Sequence, residues 1–185
     1  MTQRAYPHLL AGNPSATSRT AGVLDLLALR LTSHGHKVRV VLIRELPPGP
    51  LLAADAQHPA ISDVVEAVDS AHGLIVASPV YKAAYTGLLK SFLDLLPQYA
   101  LAGKTVLPLV TGGTPAYVLA VDYALRPVLA SMGAHVGQGY FLLDQLIGEG
   151  PGGDTRIAPG AERPLLGILD AFSVSLAFRP VTVPV

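Results

Sequence analysis

The stretch from Gly73 to Pro97 constrains this chain more than any other. It opens on Leu74-Ile75-Val76-Ala77, an apolar run too short for a helix and bounded by Gly73 and Pro79. That pattern predicts a strand buried on both faces. It closes on Leu88, Leu89, Phe92, Leu93 and Leu96, an apolar stripe at helical spacing that stops at Pro97. Between them lie residues 78–87, which carry two tyrosines and one lysine. A loop that leaves the carboxyl end of a buried strand and enters a helix is where open α/β sheets place their ligands.

The same alternation runs through the rest of the chain. Tyr6 to Ala11 predicts a first strand, with Pro7 at its start or on an unpaired side. Val23, Leu24, Leu27 and Leu31 share one face of a first helix that ends near Gly35. Lys37 to Ile43 predicts strand two, and residues 45–59, with four prolines, a loop. Ala60 to Ala71 predicts helix two, and Thr105 to Val110 strand four. Pro115 opens helix four, which runs to about Met132 with a kink or local break at Pro127. Val136 to Leu142 predicts strand five, residues 148–160 a mobile surface loop, and Leu165 to Phe172 a last helix. An apolar, extended tail follows from Arg179. The alternation predicts a single α/β domain over residues 1–185: a flavodoxin-like three-layer sandwich on a five-stranded parallel sheet of order 2-1-3-4-5.

Composition narrows the function. The 13 Lys and Arg balance the 13 Asp and Glu, so no electrostatic footprint for nucleic acid is expected. There is no cysteine, which removes disulfides, thiolate metal sites and cysteine nucleophiles. The six histidines show no metal-ligand spacing, and no metal is expected. No apolar run is long enough to span a membrane, and the N-terminus lacks a signal pattern, so a cytoplasmic protein is expected. Only 14% of residues are charged and half are hydrophobic, which points to surface buried in an oligomer.

In a sheet of that order, the loops after strands one, three and four lie side by side. The first, residues 12–20, holds Asn13, Ser15, Thr17, Ser18, Arg19 and Thr20 ahead of a helix N-terminus. Free N–H groups and the helix dipole there favour an anion, and Arg19 offers a charged fork to a phosphate. An ordinary capped helix start accounts for the same residues. The second loop offers Pro79, Val80, Tyr81 and Lys82 to the edge of a flat heterocycle. Tyr81 and Tyr85 serve equally well as packing over the sheet end or in a subunit contact. The third, Thr111-Gly112-Gly113-Thr114, brings bare backbone close to whatever the others hold, or is a plain left-handed turn. Taken together, a phosphate cradle, a heterocycle edge and a glycine turn describe a flavin mononucleotide pocket.

At these residues the chain resembles the NADPH-dependent FMN reductases. The likeness rests on Gly12-Asn13-Pro14 with Ser18-Arg19-Thr20, on Ser78 to Gly87, on Leu93 to Pro97, on Leu107 to Thr114 and on Ala120 to Leu129. It is strongest toward the reductase component of two-component alkanesulfonate monooxygenases. The resemblance implies a flavodoxin-like fold, FMN and NADPH as ligands, and hydride transfer from nicotinamide C4 to flavin N5, with reduced FMN leaving for a flavin-dependent monooxygenase. It implies that Ser18, Arg19 and Thr20 hold the phosphate, Pro79, Val80, Tyr81 and Lys82 the isoalloxazine, and Thr111, Gly112, Gly113 and Thr114 the ring edge and ribityl side. Asn13 and Ser15 stand where family members often have Ser and Arg. The family's homotetramers pack helix four at an interface, where an inserted tyrosine, matched by Tyr123, widens the helix into a π-bulge. A homodimer or homotetramer is therefore expected. The cofactor carries the chemistry, so no side chain is assigned as a catalytic acid or base. Two alternatives remain: a reductase of quinones, azo dyes or metal ions with tightly held FMN, and a flavin-binding electron carrier.

Overall fold

The structure is a computed structural model and describes residues 5–177. Nine strands form among those residues: β1 (Pro7–Ala11), β2 (Arg39–Leu42), β3 (Gly73–Tyr81), β4 (Ala84–Tyr85), β5 (Thr105–Gly112), β6 (His135–Val136), β7 (Tyr140–Leu143), β8 (Ile147–Glu149) and β9 (Thr155–Ile157). The α-helices are α1 (Arg19–Ser33), α2 (Pro48–Leu52), α3 (Pro59–Ser70), α4 (Gly87–Leu93), α5 (Arg126–Ser131) and α6 (Pro159–Ser175).

The parallel strands run β2-β1-β3-β5, with β6 and β7 both pairing the outer side of β5. Side chains alternate across this sheet, as the pleat requires. Leu10, Leu74, Val76, Val106 and Val110 join the core with α3, α4 and α5. Leu9, Ile75, Ala77, Leu107 and Leu109 join the core with α1 and α6. That is the expected three-layer arrangement, and the strand order is the expected 2-1-3-4-5 when β6 and β7 are taken as one broken fifth strand.

The expected count of five strands is corrected to a seven-stranded sheet. One cause is Gly137-Gln138-Gly139, which breaks the fifth position into β6 and β7. Gly139 lies so close to Val121 and Pro108 that a Cβ there has no room. The other is β4, which folds back antiparallel on the end of β3.

Residues 148–160 are not a plain loop. β8 and β9 form a separate antiparallel hairpin, and α6 begins at Pro159. Ile147 and Ile157 pair across it and are buried, which anchors the hairpin on the α1 side of the sheet. Within the proline-rich 45–59 segment, Pro48 opens the short α2, because a proline in the first turn loses no helical hydrogen bond. Helix four divides into a 3-10 turn (Pro115–Tyr117), a π-helical turn (Val121–Leu125) and α5. Pro127 lies in the first turn of α5, and the helical backbone changes from π to α spacing at Arg126 just before it, which is the local break expected there. The expected tail from Arg179 lies outside the described residues.

Candidate functional site

The carboxyl ends of β1, β3 and β5 stop at one rim, with Ala11 paired to Ala77 and Pro79 to Thr111. Buried hydrogen bonds tie the three following segments together. Gly12 N donates to Ala77 O at 2.8 Å. Thr86 Oγ1 donates to Gly12 O at 2.5 Å and caps α4 by accepting from Leu89 N. Thr86 N donates to Ser78 Oγ at 3.0 Å. Thr20 Oγ1 and Thr111 Oγ1 lie 2.7 Å apart and share a hydrogen bond. The three loops singled out in the sequence thus meet, and their relative positions are fixed by groups that water does not reach.

In the first loop, Asn13 is buried. Its Nδ2 donates to Ser15 O at 2.8 Å, and its Oδ1 is buried without a partner. Ser18 is the N-cap of α1, yet its side chain makes no capping bond. Arg19 is exposed as the first helical residue, and the first turn carries no acid. Here the first N–H groups of the helix, the Ser18 hydroxyl and the Arg19 guanidinium face outward together, a set suited to an anion. Thr20, by contrast, points inward and spends its hydroxyl on Thr111.

The second segment is a hairpin rather than an open loop. Val80 pairs with Tyr85 and Tyr81 with Ala84 across the two-residue turn Lys82-Ala83. Both turn residues have positive φ, 52° and 65°. This is the type I′ signature, which matches strand twist but normally recruits Asn and Gly. For two non-glycine residues the left-handed region costs roughly 1–2 kcal/mol each, and such strain gathers at ligand sites. Tyr81 is 52% exposed and Lys82 is exposed at the tip. Pro79 is half-buried and Val80 buried beneath them. Tyr85 instead packs into the core, and that burial raises its phenol pKa.

In the third segment, Gly112 and Gly113 do not have positive φ, so a left-handed turn is not the reason for them. A Cβ on Gly112 would press on Phe141 at 3.1 Å, whereas Gly113 is open, with Asp144 Oδ2 nearest at 3.8 Å. Gly113 therefore offers bare backbone at the rim. Thr111 is buried, and Thr114 caps the next turn by accepting from Ala116 N.

Two hollows adjoin the rim. One, of about 340 Å³, lies between Ala83 and the π-helical turn and is lined by Tyr117, Leu119 and Tyr123. Tyr123 is 79% exposed. The other, of about 750 Å³, extends from Thr17, Ser18 and Arg19 away from the second and third segments, toward Arg44 and the β8–β9 hairpin. The sequence reading missed Arg44 and this hairpin wall. Its signal was the turn Gly150-Pro151-Gly152-Gly153-Asp154 between two short segments with isoleucine at their outer ends. Among the described residues no group of three or more His, Asp or Glu is placed to hold a metal ion.

The model of the NADPH-dependent FMN reductase family matches residues 8–147. An FMN reductase (NADPH) of Pseudomonas putida is 40% identical over 173 residues, covering 92% of this chain and 88% of the relative. An FMN reductase (NADPH) of Escherichia coli is 49% identical over 125 residues, 68% of this chain and 65% of the relative. The crystal structure of the apo form of an NADH:FMN oxidoreductase (EMOB) superposes with a TM-score of 0.86 at 40% identity, covering 96% of this chain and 93% of that one.

Proposed function

The chain belongs to the NADPH-dependent FMN reductase family, and from that membership we propose that it reduces FMN with a hydride from NADPH or NADH. The observation that carries the reading is the convergence of the three segments on one rim, locked by the Thr20–Thr111 and Thr86–Gly12 bonds. Flavin held at this rim would supply the redox chemistry as the acceptor of the hydride.

The residues present fit such a ligand. Ser18, Arg19 and the open N–H groups of α1 suit the phosphate, and the orphaned Oδ1 of Asn13 has an acceptor to spare in the same loop. Pro79, Val80, Tyr81 and Lys82 form the platform for the ring system, and the strained turn holds Tyr81 and Lys82 at its edge. Gly113 and Thr114 flank the ring edge with bare backbone. Thr20 and Thr111 brace the first and third segments from beneath, and Gly112 makes room for Phe141. The protein's part is to orient the two reactants and exclude water, and no side chain has to move a proton.

Within the same reading, reduced FMN leaves as a product for a flavin-dependent monooxygenase. The chain assembles as a homodimer or homotetramer through the exposed face of Val118, Leu119 and Tyr123. It acts in the cytoplasm; among the described residues no helix is long and apolar enough to cross a membrane. Light scattering that finds only monomer removes the assembly. The function is tested by steady-state NADPH oxidation with FMN varied from trace to excess. Saturation in free FMN is expected. A yellow protein whose rate ignores added FMN shows a retained prosthetic group instead, and no oxidation with any acceptor ends the reductase reading.

A further inference from the structure

The 750 Å³ hollow beside the first loop is not needed to hold a flavin mononucleotide by the three rim segments. It shares Thr17, Ser18 and Arg19 with the phosphate-binding loop, but none of its lining comes from residues 78–87 or 111–114. A group joined to a phosphate at Ser18 and Arg19 therefore continues directly into it. Its volume lies within the roughly 300–1,000 Å³ of small-molecule sites.

The walls have a mixed character. Val40 and Leu42, at the end of β2, give an apolar floor. The outer wall is the β8–β9 hairpin, which sits tight against α1: a Cβ at Gly22 would run into the Thr155 side chain. Arg44 stands just past β2. Its Nη1 is buried with no hydrogen-bond partner, and its Nη2 reaches Glu45 Oε1 only at 3.4 Å, the long limit of a hydrogen bond. The guanidinium thus forms an ion pair with Glu45 through Nη2 and keeps Nη1 without a partner. Asp25, Glu45 and Glu149 also line the hollow, so two arginines face three acids. That balance serves a bare anion badly. It serves a nucleoside phosphate well, with an apolar plane for the base, carboxylates for ribose hydroxyls and an arginine for phosphate. In dinucleotide-binding βαβ units the positions just past the second strand make this choice, an acid taking a ribose 2′-hydroxyl and an arginine a 2′-phosphate. Here both residue types stand there side by side, at Arg44 and Glu45.

We propose that this hollow is an adenosine-phosphate subsite continuous with the first-loop phosphate site, with Arg44 as its phosphate contact. The proposal rests on the flavin-reductase reading for the source of the ligand, though not for its binding chemistry. Two sources share that chemistry: the AMP half of FAD, and the 2′-phosphoadenosine half of NADPH.

The test is calorimetry on the purified full chain with 5′-AMP and with 2′,5′-ADP as probes, for the wild type and for Arg44→Ala. At least one probe binds the wild type at millimolar concentration or better, and Arg44→Ala weakens it by about tenfold or more, as expected for loss of a charge-assisted fork. Should Arg44→Ala fail to fold by circular dichroism, Arg44→Gln keeps the stem and removes the charge, and the same weakening is expected. Steady-state kinetics then separate the sources. A rise in KM for FAD relative to FMN assigns the subsite to FAD; a rise in KM for NADPH relative to NADH assigns it to NADPH. If neither probe binds the wild type, or if both variants bind as well as the wild type, the subsite does not exist. Failure of the reductase reading is a separate result, since a protein that binds the probes but never oxidises NADPH keeps the subsite and loses the activity.

Discussion

At the carboxyl end of the sheet the buried polar side chains among the described residues are Asn13, Thr20, Ser78, Thr86 and Thr111; at the amino end they are His8, His36 and Ser173. The first set consists of hydroxyls and one amide, which never ionise near neutral pH. Four of the five are joined to each other or to loop backbone across the rim. The second set is built on two imidazoles, each with a buried Nδ1 that has no partner. His36 Nε2 lies 2.7 Å from Ser173 Oγ, and this contact joins the segment after α1 to α6. A rim made of non-ionising groups presents the same geometry at every physiological pH, which suits a site that must hold two reactants in register. The amino end carries no such duty and can tolerate groups that titrate.

Breaking the rim has the largest expected effect. Thr86→Val keeps the shape but strips the bond to Gly12 O and the cap on Leu89 N, both buried. Lost capping and an orphaned carbonyl together predict a loss of about 2–4 kcal/mol in chemical denaturation. A loss below about 0.5 kcal/mol, the level of a neutral surface change, would mean that the rim is not locked there. Next comes Thr111→Val, which leaves the Thr20 hydroxyl buried and alone, for about 1–3 kcal/mol. The Thr20→Val, Thr111→Val double variant sharpens the point. Removing both hydroxyls is expected to recover most of that loss, because no unpaired group remains. If the double variant is as weak as the sum of the singles, the pair is not the tie it resembles.

Much of this rim is legible in the sequence. The alternation of strands and helices at this length predicts the strand order, and polar, glycine-bearing segments after buried strands name the three loops, because hydrophobic runs and their breakers are local signals. The roles of the individual hydroxyls were not legible. Thr20 looks like its neighbours Thr17 and Ser18 in sequence, and only the helix phase of α1 turns it inward to meet Thr111, 91 residues away. Likewise Lys82-Ala83 carries none of the Asn-Gly chemistry of a type I′ turn, so the hairpin forms because pairing of Val80 with Tyr85 overrides local preference. The hairpin at 147–157 was hidden for the opposite reason. Its turn is so rich in glycine and proline that composition masked two three-residue strands, and Ile147 and Ile157 gain their burial from a core far off in sequence.

The smallest expected effect comes from the amino end and is one of pH. Burial lowers the pKa of His36, with nearby His34 adding to the shift, and burial likewise lowers that of His8. Both folded values therefore lie below the ordinary 6.5. Between the folded value and 6.5 the unfolded chain binds more protons than the folded one, so stability rises with pH there. The contribution is complete above about pH 6.5 and is lost as pH falls through the folded values. Denaturation at a series of pH values should show wild-type stability level above neutrality and declining below it. His36→Gln, which keeps a hydrogen-bonding side chain but cannot ionise, should flatten part of that decline while Thr86→Val costs the same at both ends of the series. A decline that His36→Gln leaves untouched, or a Thr86→Val cost that changes with pH, would erase the distinction between the two ends of the sheet.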